Sequence, residues 1–177
     1  MQLMNFSKAI FFALATLMVV SCGNNNGTTQ STKKKYTKQE IEDYNRLMAK
    51  KEAKRISQYV EEKGWPAKET GTGLHYYIYE DSSGPKPVEG NKVKVNITIC
   101  YLNGDTAYSH VRYGAETFEI DRTNKESGLN EGVQYMPLGA KAKLVIPSHL
   151  AHGVVGDQAK IPPRTPLVFD VELLEIF

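Results

Sequence analysis

The sequence is poor in the residues that bind metals or form disulfides. Its 177 residues include two cysteines and four histidines. It has no G-x-S-x-G, P-loop, C-x-x-C or H-E-x-x-H segment, so none of the chemistries that depend on these motifs is indicated. His149 and His152 are three residues apart, but no carboxylate cluster or well-placed third histidine accompanies them. We therefore expect no metal and no cofactor, and the formal net charge of +2 does not favour a nucleic-acid partner.

The N-terminal apolar run, residues 9–20, is too short to cross a bilayer comfortably. It ends in VVSC followed by glycine, which resembles a bacterial lipobox. This predicts a lipoprotein signal peptide over residues 1–21 and acylation of Cys22, with two or three acyl chains anchoring the protein stably. The alternative is an ordinary signal peptide in which the cysteine is coincidental. If Cys22 carries lipid, Cys100 has no partner for a disulfide.

Two further segments precede the main domain. Residues 22–36 are polar and lack apolar periodicity, which is typical of a flexible tether. Over residues 37–64 the apolar residues recur at helical spacing, and Thr37 with Glu40 forms a capping box, so we predict an amphipathic helix. A basic cluster on this helix either contacts anionic lipid or an acidic partner, or is the solvated face of a spacer. Its members are Lys50, Lys51, Lys54 and Arg55.

After the helix, the spacing of apolar residues changes from a helical period to a period of two residues. One strand is predicted from four alternating residues, Val93, Val95, Ile97 and Ile99. A short helix stopped by Pro137 is predicted from Leu129, Val133 and Met136, which share one stripe. We predict an α+β fold over residues 70–177, with an antiparallel sheet wrapped around a short helix and preceded by the N-terminal helix.

Several ordered motifs in this domain resemble the FKBP-type peptidyl-prolyl cis-trans isomerases. They are G-x-x-E-G-V at the short helix, A-K-L-x-I-P in the following strand, and I-P-P-x-x-x-L-V-F-D-V-E-L-L near the end. The resemblance covers roughly residues 70–177. The leader, tether, helix and YLNGDTAYS segment resemble a lipoprotein subgroup associated with gliding motility in some bacteria.

The resemblance implies a shallow apolar pocket under a loop that three prolines stiffen, Pro162, Pro163 and Pro166. His152 stands where the family usually has a tyrosine, and an imidazole N–H could likewise bind a substrate carbonyl. No residue is assigned an acid, base or nucleophilic role. The residues that the resemblance assigns to the substrate pocket are Phe118, Leu129, His152, Ile161, Phe169, Ile97 and Tyr108.

The sequence departs from the family pattern at the expected pocket. Ile97 stands where V-x-Y-T-G has its tyrosine. Ala107 and Tyr108 replace the F-D pair, although a shift of one residue would put Tyr108 in the aromatic place. A V-I pair has become Lys125 and Glu126. We expect these changes to widen the pocket and to remove a carboxylate that influences turnover.

The implied function is a peptidyl-prolyl isomerase that assists folding of exported proteins and binds their proline-containing segments. The alternative is an FKBP-shaped chaperone or complex subunit with weak or no isomerase activity. The lipobox predicts an envelope protein, lipid-anchored to the outer membrane and facing the periplasm. The sequence leaves the oligomeric state open.

Overall fold

The computed structural model describes residues 35–177. The predicted signal peptide, the predicted acylation site Cys22 and most of the predicted tether lie outside these residues. Within the described range, no helix is long and apolar enough to cross a membrane.

The N-terminal helix, α1, spans Lys38–Glu62 and begins at the capping box predicted from the sequence. Thr37 Oγ1 accepts the Glu40 N–H at 3.2 Å, and Glu40 Oε2 accepts the Thr37 N–H at 2.8 Å. These bonds satisfy donors that a helix start otherwise leaves without partners. Just after the helix, Gly64 has a φ of +62°, which favours glycine, and this conformation ends the helix.

A seven-stranded antiparallel sheet forms the body of the described chain. Its order is β1–β2–β6–β7–β3–β4, and β5 pairs with the first half of β3. The strands are β1 (Lys68–Glu69), β2 (His75–Glu80), β3 (Lys92–Tyr101), β4 (Thr106–Ser109), β5 (Glu116–Glu119), β6 (Lys141–Ile146) and β7 (Leu167–Ile176). The helical elements between strands are α2 (His110–Tyr113), α3 (Ser127–Gln134) and a 3-10 turn (Ser148–Leu150). The predicted fold class is confirmed.

The inner face of the sheet packs against α3. Val93, Val95 and Ile97 of β3 are buried there, as their alternation predicts, and Ile99 is partly buried against the same core. The helix ends at Gln134, a little before the predicted stop at Pro137. The predicted stripe of Leu129, Val133 and Met136 is nevertheless fully buried, with Met136 just beyond the helix.

Two glycines on one side of α3 allow it to lie close to β6. A Cβ atom at Gly132 would lie 2.4 Å from Leu144 Cδ1, and one at Gly128 would lie 2.4 Å from Ile146 Cγ2. Neither position has room for a side chain, so the helix backbone itself contacts the strand's apolar side chains.

The outer face of the sheet packs against the second half of α1. Ile56 and Val60 are buried there against Val145 of β6 and Val168 of β7. This half of α1 is therefore packed against the sheet. The four members of the predicted basic cluster are exposed: Lys50, Lys51, Lys54 and Arg55.

Candidate functional site

Five of the seven residues assigned to the pocket lie together in the inner core. Ile97, Phe118, Leu129, Ile161 and Phe169 belong to one apolar cluster, and none is more than 5% exposed. Strand alternation turns Ile97, Phe118 and Phe169 to this face, whereas Leu129 comes from α3 and Ile161 from the loop before β7. Such burial fits the floor of a pocket as well as core packing, so their contact with substrate stays a prediction.

The segment of residues 148–164, here called the rim loop, covers one side of this cluster. Its backbone folds back on itself: Gly153 N–H donates to Ser148 O at 2.7 Å, and Arg164 N–H donates to Gly153 O at 2.8 Å. Gly156 has a φ of +75°, and a Cβ there would lie 2.2 Å from Ile161 O. The close approach at Gly156 brings Ile161 down onto the core, where it is buried.

Asp157 in the rim loop organises the surrounding backbone. Its Oδ1 accepts the N–H groups of Ala159 at 2.9 Å and Ile161 at 2.7 Å. Its Oδ2 accepts a short hydrogen bond from the Tyr108 hydroxyl of β4. Burial alone would raise the pKa of Asp157, but the bonds from Tyr108 and the two backbone N–H groups outweigh burial and lower it to about 2. Asp157 is therefore a carboxylate throughout the neutral range.

Lys160 makes a second link between the rim loop and β3–β4. Its Nζ donates to Ala107 O at 2.7 Å and lies 4.9 Å from the centroid of the Tyr108 ring. The Tyr101 hydroxyl donates to Lys160 O at 2.6 Å. Tyr108 therefore lies between a lysine and an aspartate of the rim loop. The rim loop thus contacts the backbone carbonyl of Ala107 and the side chain of Tyr108.

His152 faces Glu126, which lies just before α3. Nε2 of His152 is 3.3 Å from Glu126 Oε1, and both side chains are mostly buried. That nitrogen makes no aligned hydrogen bond, although it is shielded from solvent. A buried polar atom without an aligned partner is rare in native structures. Nε2 of His152 therefore has the capacity to form a further hydrogen bond.

Other charged and imidazole groups near the site have separate partners. Lys125 forms a short ion pair with Glu116 of β5. Nε2 of His149 lies 3.2 Å from Thr72 O, so this imidazole and His152 do not converge. Across residues 35–177, no group of three or more His, Cys, Asp or Glu side chains is placed to hold a metal ion.

Comparison with known proteins identifies the family of this arrangement. The family model described as FKBP-type peptidyl-prolyl cis-trans isomerase matches residues 84–174, which is more than half of the chain. The chain belongs to the FKBP family.

Two bacterial FKBP-type isomerases are similar to part of this chain, and both are longer than it is. FkpA of Aeromonas hydrophila is 41% identical over 110 residues, which cover 62% of this chain and 40% of that protein. The 22 kDa FKBP-type isomerase of Escherichia coli (strain K12) is 37% identical over 107 residues, covering 60% and 52%. The chain spans about half or less of the length of these two curated relatives.

Solved FKBP structures share the fold. The crystal structure of FkpA from Escherichia coli has a TM-score of 0.62 at 31% identity, covering 80% of this chain and 74% of that one. A peptidyl-prolyl cis-trans isomerase from Pseudomonas syringae pv. tomato has a TM-score of 0.61 at 32% identity, covering 72% and 95%.

Sequence reasoning missed part of this FKBP site. Asp157 had a local signal: an aspartate in a glycine-rich loop often accepts backbone N–H bonds from residues just after it. Lys160 had no such signal, because its contacts with Ala107 and Tyr108 come from a distant hairpin. Glu126 was recognised as a departure from the family, but its pairing with His152 was not.

Proposed function

We propose that this FKBP-type protein catalyses cis-trans isomerisation of X–Pro bonds in exported polypeptides. The observation that carries the proposal is the buried apolar cluster that Leu129 and Phe169 form with Ile161 of the proline-containing rim loop, within the family-matched segment. Nothing in this mechanism needs an acid, a base or a metal.

The physical barrier to this reaction is the resonance of the planar amide. At the twisted transition state that resonance is lost and the carbonyl is less polar, so a dry apolar floor favours the twisted form over the planar one. To the His152 imidazole, whose Nε2 has no aligned hydrogen-bond partner, we assign the role of donating to the rotating carbonyl. An acceleration of about 10⁴-fold requires about 5.5 kcal/mol of such differential binding.

We also propose that the protein acts at the cell envelope as a member of the lipoprotein subgroup associated with gliding motility. Acylation of Cys22 would anchor it to the outer membrane on the periplasmic side, where exported chains fold. The VVSC sequence supports this proposal. Cys22→Ser should release the protein from the membrane fraction, whereas Cys100→Ser should not. A Cys22→Ser variant that stays membrane-bound, together with a wild-type protein lacking acyl mass, would refute it.

The isomerase proposal is tested by turnover of a proline-containing tetrapeptide. Phe169→Leu keeps most of the side-chain volume but changes the shape of the floor, so kcat/KM should fall while the domain stays folded. His152→Ala should give a smaller loss, equivalent to about 0.5–1.5 kcal/mol for one hydrogen bond. Tyr79→Leu is the matched control, because Tyr79 bonds Asp170 on the outer face of the sheet.

Two results would contradict the isomerase proposal. Wild-type turnover in folded Phe169→Leu and His152→Ala variants would place the site elsewhere. A wild-type protein that does not isomerise the peptide but retards aggregation of an unfolded client would be an FKBP-shaped chaperone instead.

A further inference from the structure

The middle of α1 is tied to the start of the rim loop by one carboxylate. Glu52 Oε1 accepts the Ser148 N–H at 2.6 Å, and Glu52 Oε2 accepts the Ser148 hydroxyl at 2.8 Å. Ser148 is buried and opens the 3-10 turn, so its N–H has no partner within the turn. Two short bonds to one charged group form a strong and directional contact.

A second tie joins α1 to the other end of the rim loop. Arg164 Nη2 donates to Asn45 Oδ1 at 2.8 Å, and its guanidinium carbon lies 5.4 Å from the centroid of the Tyr44 ring. The backbone N–H of Arg164 bonds to Gly153 O within the loop. The helix therefore holds the rim loop at both of its ends.

The same face of α1 carries both ties and the apolar anchor. Asn45, Glu52, Ile56 and Val60 are spaced by seven, four and four residues, which places them along one side of a helix. Ile56 and Val60 fix this side to the sheet. An open cavity of about 380 Å³ is lined by residues of both α1 and the rim loop. The hydrogen bonds of Glu52 and Asn45 link the two elements beside this cavity.

We propose that Glu52 is a positioning residue for the prolyl-peptide site, through which α1 braces the rim loop. The braced segment carries His152, Asp157 and Ile161, so its position sets both the donor nitrogen and one wall of the apolar floor. A loop fixed in advance loses less conformational entropy when peptide binds, and small displacements of positioned groups reduce turnover. This inference rests on the proposed isomerase function.

The test uses the full chain and three measurements: amide hydrogen exchange of residues 148–164, kcat/KM for an X–Pro tetrapeptide, and thermal unfolding. Glu52→Ala should speed exchange in the rim loop and lower kcat/KM about three- to tenfold at a temperature where the protein is folded. Glu61→Ala, with an exposed side chain on the same helix, is the matched control and should change neither. Glu52→Gln keeps the size of the side chain and one acceptor oxygen, so it should recover part of the loss.

Two results would contradict the proposal that Glu52 positions the rim loop. Rim-loop exchange in Glu52→Ala equal to that in Glu61→Ala would do so, whatever the activity. A lower unfolding temperature with unchanged kcat/KM would show that Glu52 only stabilises the fold. If Glu52→Ala does not fold, the same comparisons apply to Glu52→Gln.

A wild-type protein without isomerase activity would refute the proposed function by itself. The brace would then be judged by rim-loop exchange and by affinity for the same tetrapeptide. An affinity that is equal in Glu52→Ala and Glu61→Ala would overturn it.

Discussion

The two faces of the sheet are covered in different ways. On the inner face, α3 packs so closely that Gly132 has no room for a side chain. On the outer face, α1 contributes Ile56 and Val60 to a small apolar cluster, and Tyr59 packs against it. Elsewhere the outer face carries polar pairs, such as Lys143 Nζ at 2.7 Å from Asp170.

The inner face therefore holds the large apolar core, and the outer face holds a small apolar cluster. A large dry core supplies most of the favourable free energy of folding, because that contribution scales with the apolar area buried. Exposed ion pairs contribute little. We therefore expect substitutions on the inner face to change the free energy of unfolding most, and substitutions on α1 to affect mainly the rim loop that it contacts.

The largest effect is expected from truncation in the inner core. Phe169→Ala removes a fully buried aromatic ring and should lower the free energy of unfolding by about 3–5 kcal/mol. Chemical denaturation measures this loss. Phe177→Ala, at an exposed position, is the control. Equal stability of the two variants would mean that the inner core does not make the largest contribution to the free energy of unfolding.

A smaller loss is expected from the anchor of α1. Ile56→Ala should cost a value near the low end of about 2–5 kcal/mol, because the helix can settle into the space left by the side chain. Ile41→Ala, half-exposed on the same helix, should cost far less. If Ile56→Ala equals Phe169→Ala in denaturation experiments, the outer cluster is as important as the inner core.

The close packing of α3 gives the next prediction. Gly132→Ala places a methyl group against Leu144 and should destabilise by about 1–3 kcal/mol. Gly71→Ala is the matched control, since nothing lies within 4 Å of a Cβ there. A thermal melt in which both variants match the wild type would contradict the close approach of α3 to β6.

The smallest effect concerns the pair of Tyr108 and Asp157. Tyr108→Phe should cost about 0.5–1.5 kcal/mol at neutral pH, the contribution of one hydrogen bond. The exposed tyrosine on α2 supplies the control, Tyr113→Phe. Chemical denaturation of both variants measures the difference.

The pair also predicts a pH dependence. The pKa of Asp157 is lowered from 3.8 to about 2, so its stabilising contribution is complete above pH 4 and is lost as the pH falls toward 2. The hydrogen bond to Asp157 raises the pKa of Tyr108 from 10.0 to about 12, so this contribution is lost as the pH rises from 10 toward 12. The stability difference between wild type and Tyr108→Phe should therefore shrink in both windows. A difference that is constant from pH 2 to 7 would contradict the pair.

Local patterns in the sequence predicted the helices and strands of the fold. They could not predict contacts between residues that are far apart in the chain. The capping box at Thr37 and the stripe of Leu129, Val133 and Met136 depend on residues a few positions apart, and both are present. Glu52 and Ser148 are 96 residues apart, so no periodicity could relate them.

The candidate site was predictable only where a family motif described it. Phe169 and Ile161 lie in the I-P-P-x-x-x-L-V-F-D-V-E-L-L segment, and they are found together in the core. The polar contacts of Tyr108 arise where the chain departs from the motif, so their partners depended on the folded rim loop.

Cys100 adds a thiol to the outer apolar cluster. It lies half-buried against the cluster that Ile56 and Val60 form, and its thiol is free. A thiolate must be reached by a reagent before it reacts, so α1 partly shields it. The rate at which an alkylating reagent labels Cys100 would therefore report how often the helix lifts from the sheet.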